Sequence, residues 1–365
     1  FFFLILEACR RAGGMVLFFI VLFFAFYPTF AGVVPDPFSG FQSTFMQTVP
    51  YHIYSAESSF GIPMKAFGGV VIGFILFGAV LQRTGGGQFF NDLALGMVGG
   101  YRGGAAKVSI FASGFMGSMS GSVISNVLTT GAVSIPAMRK TGFSAKTAAA
   151  TEACASTGGV LMPPIMGAGA FVMASFTQIP YETIVAVAAL PALLYFLSVA
   201  FFFLNEAKRM NLAPMPSDGQ TLGSAFRKGG ASFVIPIGLL IGMLVAGFTP
   251  TYAAVFGIVA VIASSWLTQN PMGPKAVWEA LILGTKNMVL TAVLLCAVGL
   301  VVNVITTAGV GNTFSLMIAS WSGGNILIAI ILIALASLVL GMGLPVTESK
   351  ASLCDRGSFT AAANC

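Results

Sequence analysis

Residues 117–126 read GSMSGSVISN, and seven of these ten are Gly, Ser or Asn. Hydroxyls, an amide and glycine-exposed carbonyls are neutral oxygen donors. They suit a bare cation or the polar groups of a small solute. Nucleophilic catalysis would need a base beside one of the serines, and no histidine or aspartate flanks this stretch. A second polar break, Ser156-Thr157-Gly158-Gly159 followed by Met162-Pro163-Pro164, offers the same chemistry. Glu152 is the carboxylate nearest to it. The five cysteines (Cys9, Cys154, Cys296, Cys354, Cys365) have no metal-ligand spacing, and Cys154 and Cys296 read as small buried hydrophobes. His52, the single histidine, has no nearby carboxylate. No catalytic residue, metal centre or cofactor is assigned, and an enzyme reading through Ser120 or Glu152 lacks its base.

The elements that must position these donors are membrane helices. The chain is 57% hydrophobic and 8% charged over 365 residues, with mean hydropathy +0.94. A soluble domain carries about 25% charged residues. Continuous apolar runs at 15–30, 66–82, 183–204, 231–248, 252–268, 288–306 and 325–340 do not alternate, which predicts helices rather than barrel strands. The net charge of +6 reads as topology, not as a nucleic-acid footprint. Fourteen of the 17 basic residues fall before the first run and in 83–107, 139–146, 208–228 and 275–286, which places those connections in the cytoplasm.

That charge pattern gives 117–126 its place. Residues 108–138 carry no charge and have basic residues on both sides. They are too few for two spans of ~20 residues each. A re-entrant hairpin is predicted, with GSMSGS as its tip, because irregular backbone at membrane depth persists only inside protein or along a wet cavity. Residues 147–175 predict a helix broken at STGG and MPP, since paired prolines remove two amide donors. Glu152 has two readings, a functional intramembrane charge or a side chain reaching toward the cytoplasmic end near Lys146.

Shifted by 224 residues, the sequence echoes itself. Gly85, Gly87, Phe90, Gly99 and Gly100 fall on Gly309, Gly311, Phe314, Gly323 and Gly324, and Gly117 falls on Gly341. Five crossings are counted between the two tips, so the second hairpin should enter from the opposite face, as an inverted repeat. The predicted organisation is a scaffold segment 1–65, a first repeat 66–204, a cytoplasmic loop 205–230, an incomplete second repeat 231–347 with its tip at 341–347, and a polar tail 348–365. The fold class is an all-α integral membrane bundle with two re-entrant hairpins.

The segments GSMSGSVISNVLTTGAVSIPAMRKTGF, ACASTGGVLMPPIMGAGAFVMA and GMGLPVT, in that order, closely resemble the large, DctM-like permease subunit of tripartite ATP-independent periplasmic (TRAP) transporters. The wording is most similar to the fused permeases of the TAXI branch, and the resemblance covers about residues 1–347. It implies a bacterial inner-membrane, sodium-driven uptake system for a small carboxylate such as a C4-dicarboxylate. Its partners would be a periplasmic substrate-binding protein and small-subunit helices, within the lipid bilayer. Sodium would be the coupling ion. Carried onto this chain, the resemblance makes Ser118, Ser120, Ser122 and Asn126 sodium- or substrate-facing at the first hairpin. It adds Ser156, Thr157, Gly158 and Pro163 at the broken helix, and Gly341, Gly343, Pro345 and Thr347 at the second tip. Beyond Thr347 the reading ESKASLCDRGSFTAAANC replaces an expected apolar arm, so a truncated or frameshifted piece of a larger protein is expected. Two alternatives stay open: a hairpin-bearing ion-coupled transporter without a binding protein, and a fragment that transports nothing.

Overall fold

The computed structural model describes every residue except Phe1, Pro37, 213–220, 269 and 344–365, and describes the backbone alone at 168 and 337–343. In chain order the helices are α1 (Phe2–Phe30), α2 (Phe45–Tyr54), α3 (Ile62–Ala66), α4 (Ile72–Arg83), α5 (Gly86–Val98), α6 (Gly104–Ser120), α7 (Val123–Lys140) and α8 (Ala145–Gly159). They continue with α9 (Ala168–Thr177), α10 (Tyr181–Arg209), α11 (Leu222–Ala225), α12 (Ala231–Val245), α13 (Pro250–Ser265), α14 (Pro274–Thr307), α15 (Val310–Ser322) and α16 (Ile326–Gly343). Single π turns at Phe67–Val71 and Phe226–Gly230 join α3 to α4 and α11 to α12. No β-strand occurs among the described residues.

Five helical stretches are long and apolar enough to cross a membrane: Phe2–Phe30, Ile62–Arg83, Tyr181–Arg209, Leu222–Val245 and Pro274–Thr307. With 22 to 34 residues at about 1.5 Å each, such helices reach across ~30 Å of hydrocarbon. The protein is therefore an all-α integral membrane bundle, as its composition required. Two details differ from the sequence reading. The first helix starts at Phe2 and is interrupted at Gly14 (φ 76°), so the apolar run at 15–30 is its second half. Cys154 is exposed, whereas Cys296 is buried. Successive helix positions lie about 100° apart, so Cys154 points away from the face that Glu152 turns inward.

The chain forms two compact units, 1–65 with 289–365 and 66–288. In the first, Leu17, Val21 and Ala25 of α1 pack with Cys296, Leu300 and Val304 of α14. The connection after α1 folds back on it: the Tyr27 hydroxyl donates to the Phe38 carbonyl. His52 of α2 is buried, with Nδ1 at 2.7 Å from the Ser58 hydroxyl and Nε2 at 3.2 Å from the Ala25 carbonyl. Only the Nε2–H tautomer satisfies both contacts with the Ser58 hydroxyl donating. The second unit contains the α12–α13 pair against α4, and a cluster of α5, α6, α7, α8 and α10.

The repeat period is visible in the helix boundaries. α4 ends at Arg83 and α14 at Thr307, while α5 spans 86–98 and α15 spans 310–322, each pair offset by 224. The glycines preceding α5 and α15 share a left-handed backbone, with φ 97° at Gly85 and φ 81° at Gly309. That conformation strains any residue with a Cβ, which accounts for glycine at both positions.

Burial depresses the His52 imidazole from its ordinary value, against a smaller opposing effect of the Ala25 carbonyl. A lowered folded value means the unfolded chain binds the proton more readily. Stability from this packing is therefore full above pH ~6.5 and is lost as pH falls below it. Hydrogen exchange of the α2 amides should speed up between about pH 7.5 and about pH 5.5, after correction for intrinsic rates, and His52→Gln should flatten the dependence.

Candidate functional site

The segment 117–126 closes a helical hairpin. α6 runs to Ser120, the chain turns at Gly121 and Ser122, and α7 begins at Val123. Gly121 stops α6 in a left-handed conformation (φ 58°). Ser122 is extended and caps α7, its hydroxyl accepting from the Ser125 amide at 3.4 Å. The turn is shorter than the expected GSMSGS tip, and the arms span 104–140 rather than 108–138. Residues 117–120 stay helical because small side chains let α6 approach its neighbours closely. A Cβ on Gly117 would lie 2.3 Å from the Gly159 Cα, and one on Gly78 of α4 would lie 2.6 Å from the Met119 carbonyl. Packing here overrides the weak helix propensity of Gly and Ser.

The helix break lies beside this turn. α8 ends at Gly159 and α9 starts at Ala168. The amides of Val160, Leu161 and Met162 close tight turns on the carbonyls of Thr157, Gly158 and Gly159. Pro163 and Pro164 supply no amide donors. Among the described residues, the carbonyls of Leu161, Met162, Pro163 and Met166 accept no backbone hydrogen bond. The Ile165 amide donates to the Ser118 carbonyl at 3.1 Å, and a Cβ on Gly121 would lie 2.4 Å from the Met166 oxygen. Hairpin turn and helix break are thus in direct contact, next to the N-terminal end of α9, where free amides favour negative charge. The Tyr181 hydroxyl braces the break from α10, within 2.9 Å of the Pro164 carbonyl and 2.6 Å of that of Ile165.

Each candidate residue now has a place. Ser120 and Ser122 are half-buried at the turn, and Pro163 is half-buried in the break. The Ser118 hydroxyl is returned to the Phe115 carbonyl at 2.7 Å. Thr157 is exposed, with its hydroxyl on the Ala153 carbonyl at 2.7 Å, and Gly158 is buried against the Tyr195 ring. The Asn126 side chain is wholly buried and donates to the Ser113 carbonyl at 2.8 Å, inside the hairpin rather than at its turn. Ser156 faces Glu152 and not the break. Gly341 and Gly343 lie on the last turn of α16, and Pro345 and Thr347 lie outside the described residues.

Glu152 is the residue whose surroundings matter most. Its side chain is wholly buried and does not reach toward the cytoplasmic end. One carboxylate oxygen accepts from Ser109 at 2.6 Å and from Ser134. The other accepts from Ser113 at 2.8 Å, Ser156 at 3.1 Å and Thr130. No ion pair involves Glu152 among the described residues. Five hydroxyls from α6, α7 and α8 itself therefore hold one carboxyl group. Sequence reasoning missed Ser109, Ser113, Thr130 and Ser134. Their signal is an i, i+4 spacing on apolar helices: 109 and 113, then 126, 130 and 134, then 152 and 156. Gln82 of α4 was missed as well; its amide donates to the Ser125 hydroxyl at 3.0 Å.

Apolar helices long enough to cross a membrane, with a polar hairpin and an interrupted helix packed against each other, define the class as an all-α integral membrane protein. Residues 1–352 match the family described as tripartite ATP-independent periplasmic transporter, DctM component, and the chain belongs to that family. It is a multi-pass protein of the bacterial inner membrane and not an enzyme. A Haemophilus influenzae protein described as a TRAP transporter large permease is 24% identical over 304 residues, covering 83% of this chain and 69% of the relative. The C4-dicarboxylate TRAP transporter large permease proteins DctM of Vibrio cholerae and Pseudomonas aeruginosa are 28% and 26% identical, covering 57% and 68% of this chain. Those two alignments take in 46% and 57% of the relatives' own lengths, so the chain spans about half of each.

Substituting Gly117 or Gly121 by Ala should destabilise the second unit by about 1–3 kcal/mol through overpacking, with added backbone strain at Gly121. Gly169→Ala, where an added Cβ meets nothing, should leave the thermal midpoint unchanged or raise it. Equal midpoints for all three variants in detergent would remove the close approach of hairpin and α8.

Proposed function

We propose that the chain is the permease part of a sodium-coupled uptake system for a small organic acid handed over by a periplasmic binding protein. The observation that supports this reading best is the contact between the hairpin turn at Gly121 and Ser122 and the helix break at 160–167. Two half-buried hydroxyls, those of Ser120 and Ser122, sit beside a segment with four carbonyls that accept no backbone bond among the described residues. Neutral oxygens of this kind suit a sodium ion without burying a formal charge, and the N-terminal end of α9 suits a substrate carboxylate. Ser118, Thr157, Gly158 and Pro163 shape this place through their backbone, and Asn126 braces it from inside the hairpin. The hairpin is proposed to be re-entrant, because its arms of 17 and 18 residues lie at the short limit for a span and basic residues stand at both of its ends, Lys107 and Arg139 with Lys140.

Substrate class rests on the relatives. The names of two of them specify C4-dicarboxylates, and that of an Escherichia coli relative, 23% identical over 216 residues, specifies 2,3-diketo-L-gulonate. All are organic acids. The family also supports a small membrane subunit and a periplasmic binding protein as partners.

Reconstitution of the permease with its binding protein and a labelled dicarboxylate tests the coupling. Uptake should require an inward sodium gradient, and uptake that ignores the gradient would refute it. Replacing Ser120 and Ser122 together by Ala should raise the sodium concentration for half-maximal uptake about tenfold, equivalent to ~1.4 kcal/mol. An unchanged sodium dependence would return the turn to a packing role.

A further inference from the structure

We infer that the cavity between the α4–α5 link, α5 and the π turn before α12 binds the zwitterionic headgroup of an aminophospholipid, its phosphate toward Lys228 and its primary ammonium toward Asp92. The inference rests on the membrane location of the chain and not on the sodium reading.

The cavity holds about 140 Å³ and is lined by the link before α5, one face of α5, the π turn Phe226–Gly230, the start of α12 and the segment after α13. Its apolar side is made by the Phe89 and Phe233 rings, which are buried and stack at 4.7 Å. Its polar side carries Gln88, Asp92, Lys228 and Asn270. Among the described residues, none of these four side chains has a hydrogen bond or an ion pair. Thr84 and Thr268 line it too, but their hydroxyls donate to the Leu81 and Ser265 carbonyls at 2.8 and 2.9 Å. Gly85 leaves space for Asn270, whose Nδ2 would lie 2.8 Å from a Cβ at that position.

Charge selects the guest. A lone anion would meet Asp92, and a lone cation would meet Lys228. A guest carrying both signs satisfies each, and partly buried charges are costly without partners. Burial holds the Asp92 carboxyl above its ordinary range, and the positive charge of Lys228 opposes this only in part. The helix itself does not require an acid here, since the repeat-related position is Leu316. Size also selects. Sites for drug-sized solutes take ~300 Å³ or more, so this cavity suits a small polar group.

Location selects the source. The cavity lies among the basic connections that read as cytoplasmic, with Arg227 next to Lys228. The segments that line it also carry the exposed side chains of Phe226, Trp266 and Leu267. Aromatic side chains of this kind concentrate at the headgroup level of a bilayer. A lipid would place its headgroup in the cavity and leave its acyl chains in the hydrocarbon.

Native mass spectrometry of the full chain, released from micelles with defined lipid added, tests this. Dioleoyl-phosphatidylethanolamine should be retained about tenfold better than dioleoyl-phosphatidylglycerol, which has the phosphate without the ammonium. Asp92→Asn should remove that preference, and Lys228→Gln should weaken retention of both lipids. Lys228 is exposed on the π turn, so this second variant decides the matter if the first does not fold. Equal retention of the two lipids by the wild-type chain would overturn the inference. So would retention unchanged by Lys228→Gln, or a preference that survives Asp92→Asn. Displacement of the lipid by an equal concentration of free phosphoethanolamine would also overturn it, by assigning the cavity to a soluble compound.

Discussion

A carboxyl group buried among apolar helices, with no ion pair among the described residues, constrains everything near it. Glu152 satisfies its oxygens with hydroxyls carried on α6, α7 and α8. Serine and threonine side chains are short. The helices bearing them must therefore approach closely, and glycines at the crossings permit it, as at Gly117 against Gly159. The cage and the close crossing are two aspects of one requirement. Leaving any of these buried hydroxyls or the carboxylate unmatched would cost on the order of 1–3 kcal/mol each. The network therefore selects one register for the hairpin against α8, and partial satisfaction would be worse than none.

That register places the turn at Gly121. With α6 locked against α8, Ser118 meets Ile165 and Gly121 meets Met166. The helix break cannot be shifted along the hairpin without losing those contacts. The irregular backbone of the break is packed on the hairpin and braced by Tyr181, whose ring stacks on Phe171 at 4.4 Å. The proposed oxygen donors and the buried carboxyl are thus mechanically connected, through α6 and Asn126, while remaining separate groups.

Much of this was legible in the chain. Hydropathy identified the membrane bundle, because a bilayer span leaves a long unbroken apolar run that little else imitates. The repeat showed in glycine spacing, since Gly85 and Gly309 occupy backbone conformations that other residues resist. The break at 160–167 showed in Pro163 and Pro164, which cannot donate amides. Less legible was the exact turn. Ser118 and Ser120 looked like tip residues by composition, yet they continue α6, because buried helix packing outweighs local propensity. Cys154 looked buried in an apolar stretch and is exposed, because Glu152 on the opposite face claims the interior.

The sequence by itself determined the class of protein, its long apolar spans, the left-handed glycines at 85 and 309 and the break at Pro163 and Pro164. These follow from local chemistry: apolar length, missing amides and glycine's freedom. Only the tertiary structure decided what Glu152 does and which serines serve it. Ser109, Ser113, Thr130, Ser134 and Ser156 come from three helices, and their convergence on one carboxyl depends on how those helices cross. A hydroxyl at i and i+4 marks a helix face, but the partner on the facing helix is a property of packing, which no single segment encodes.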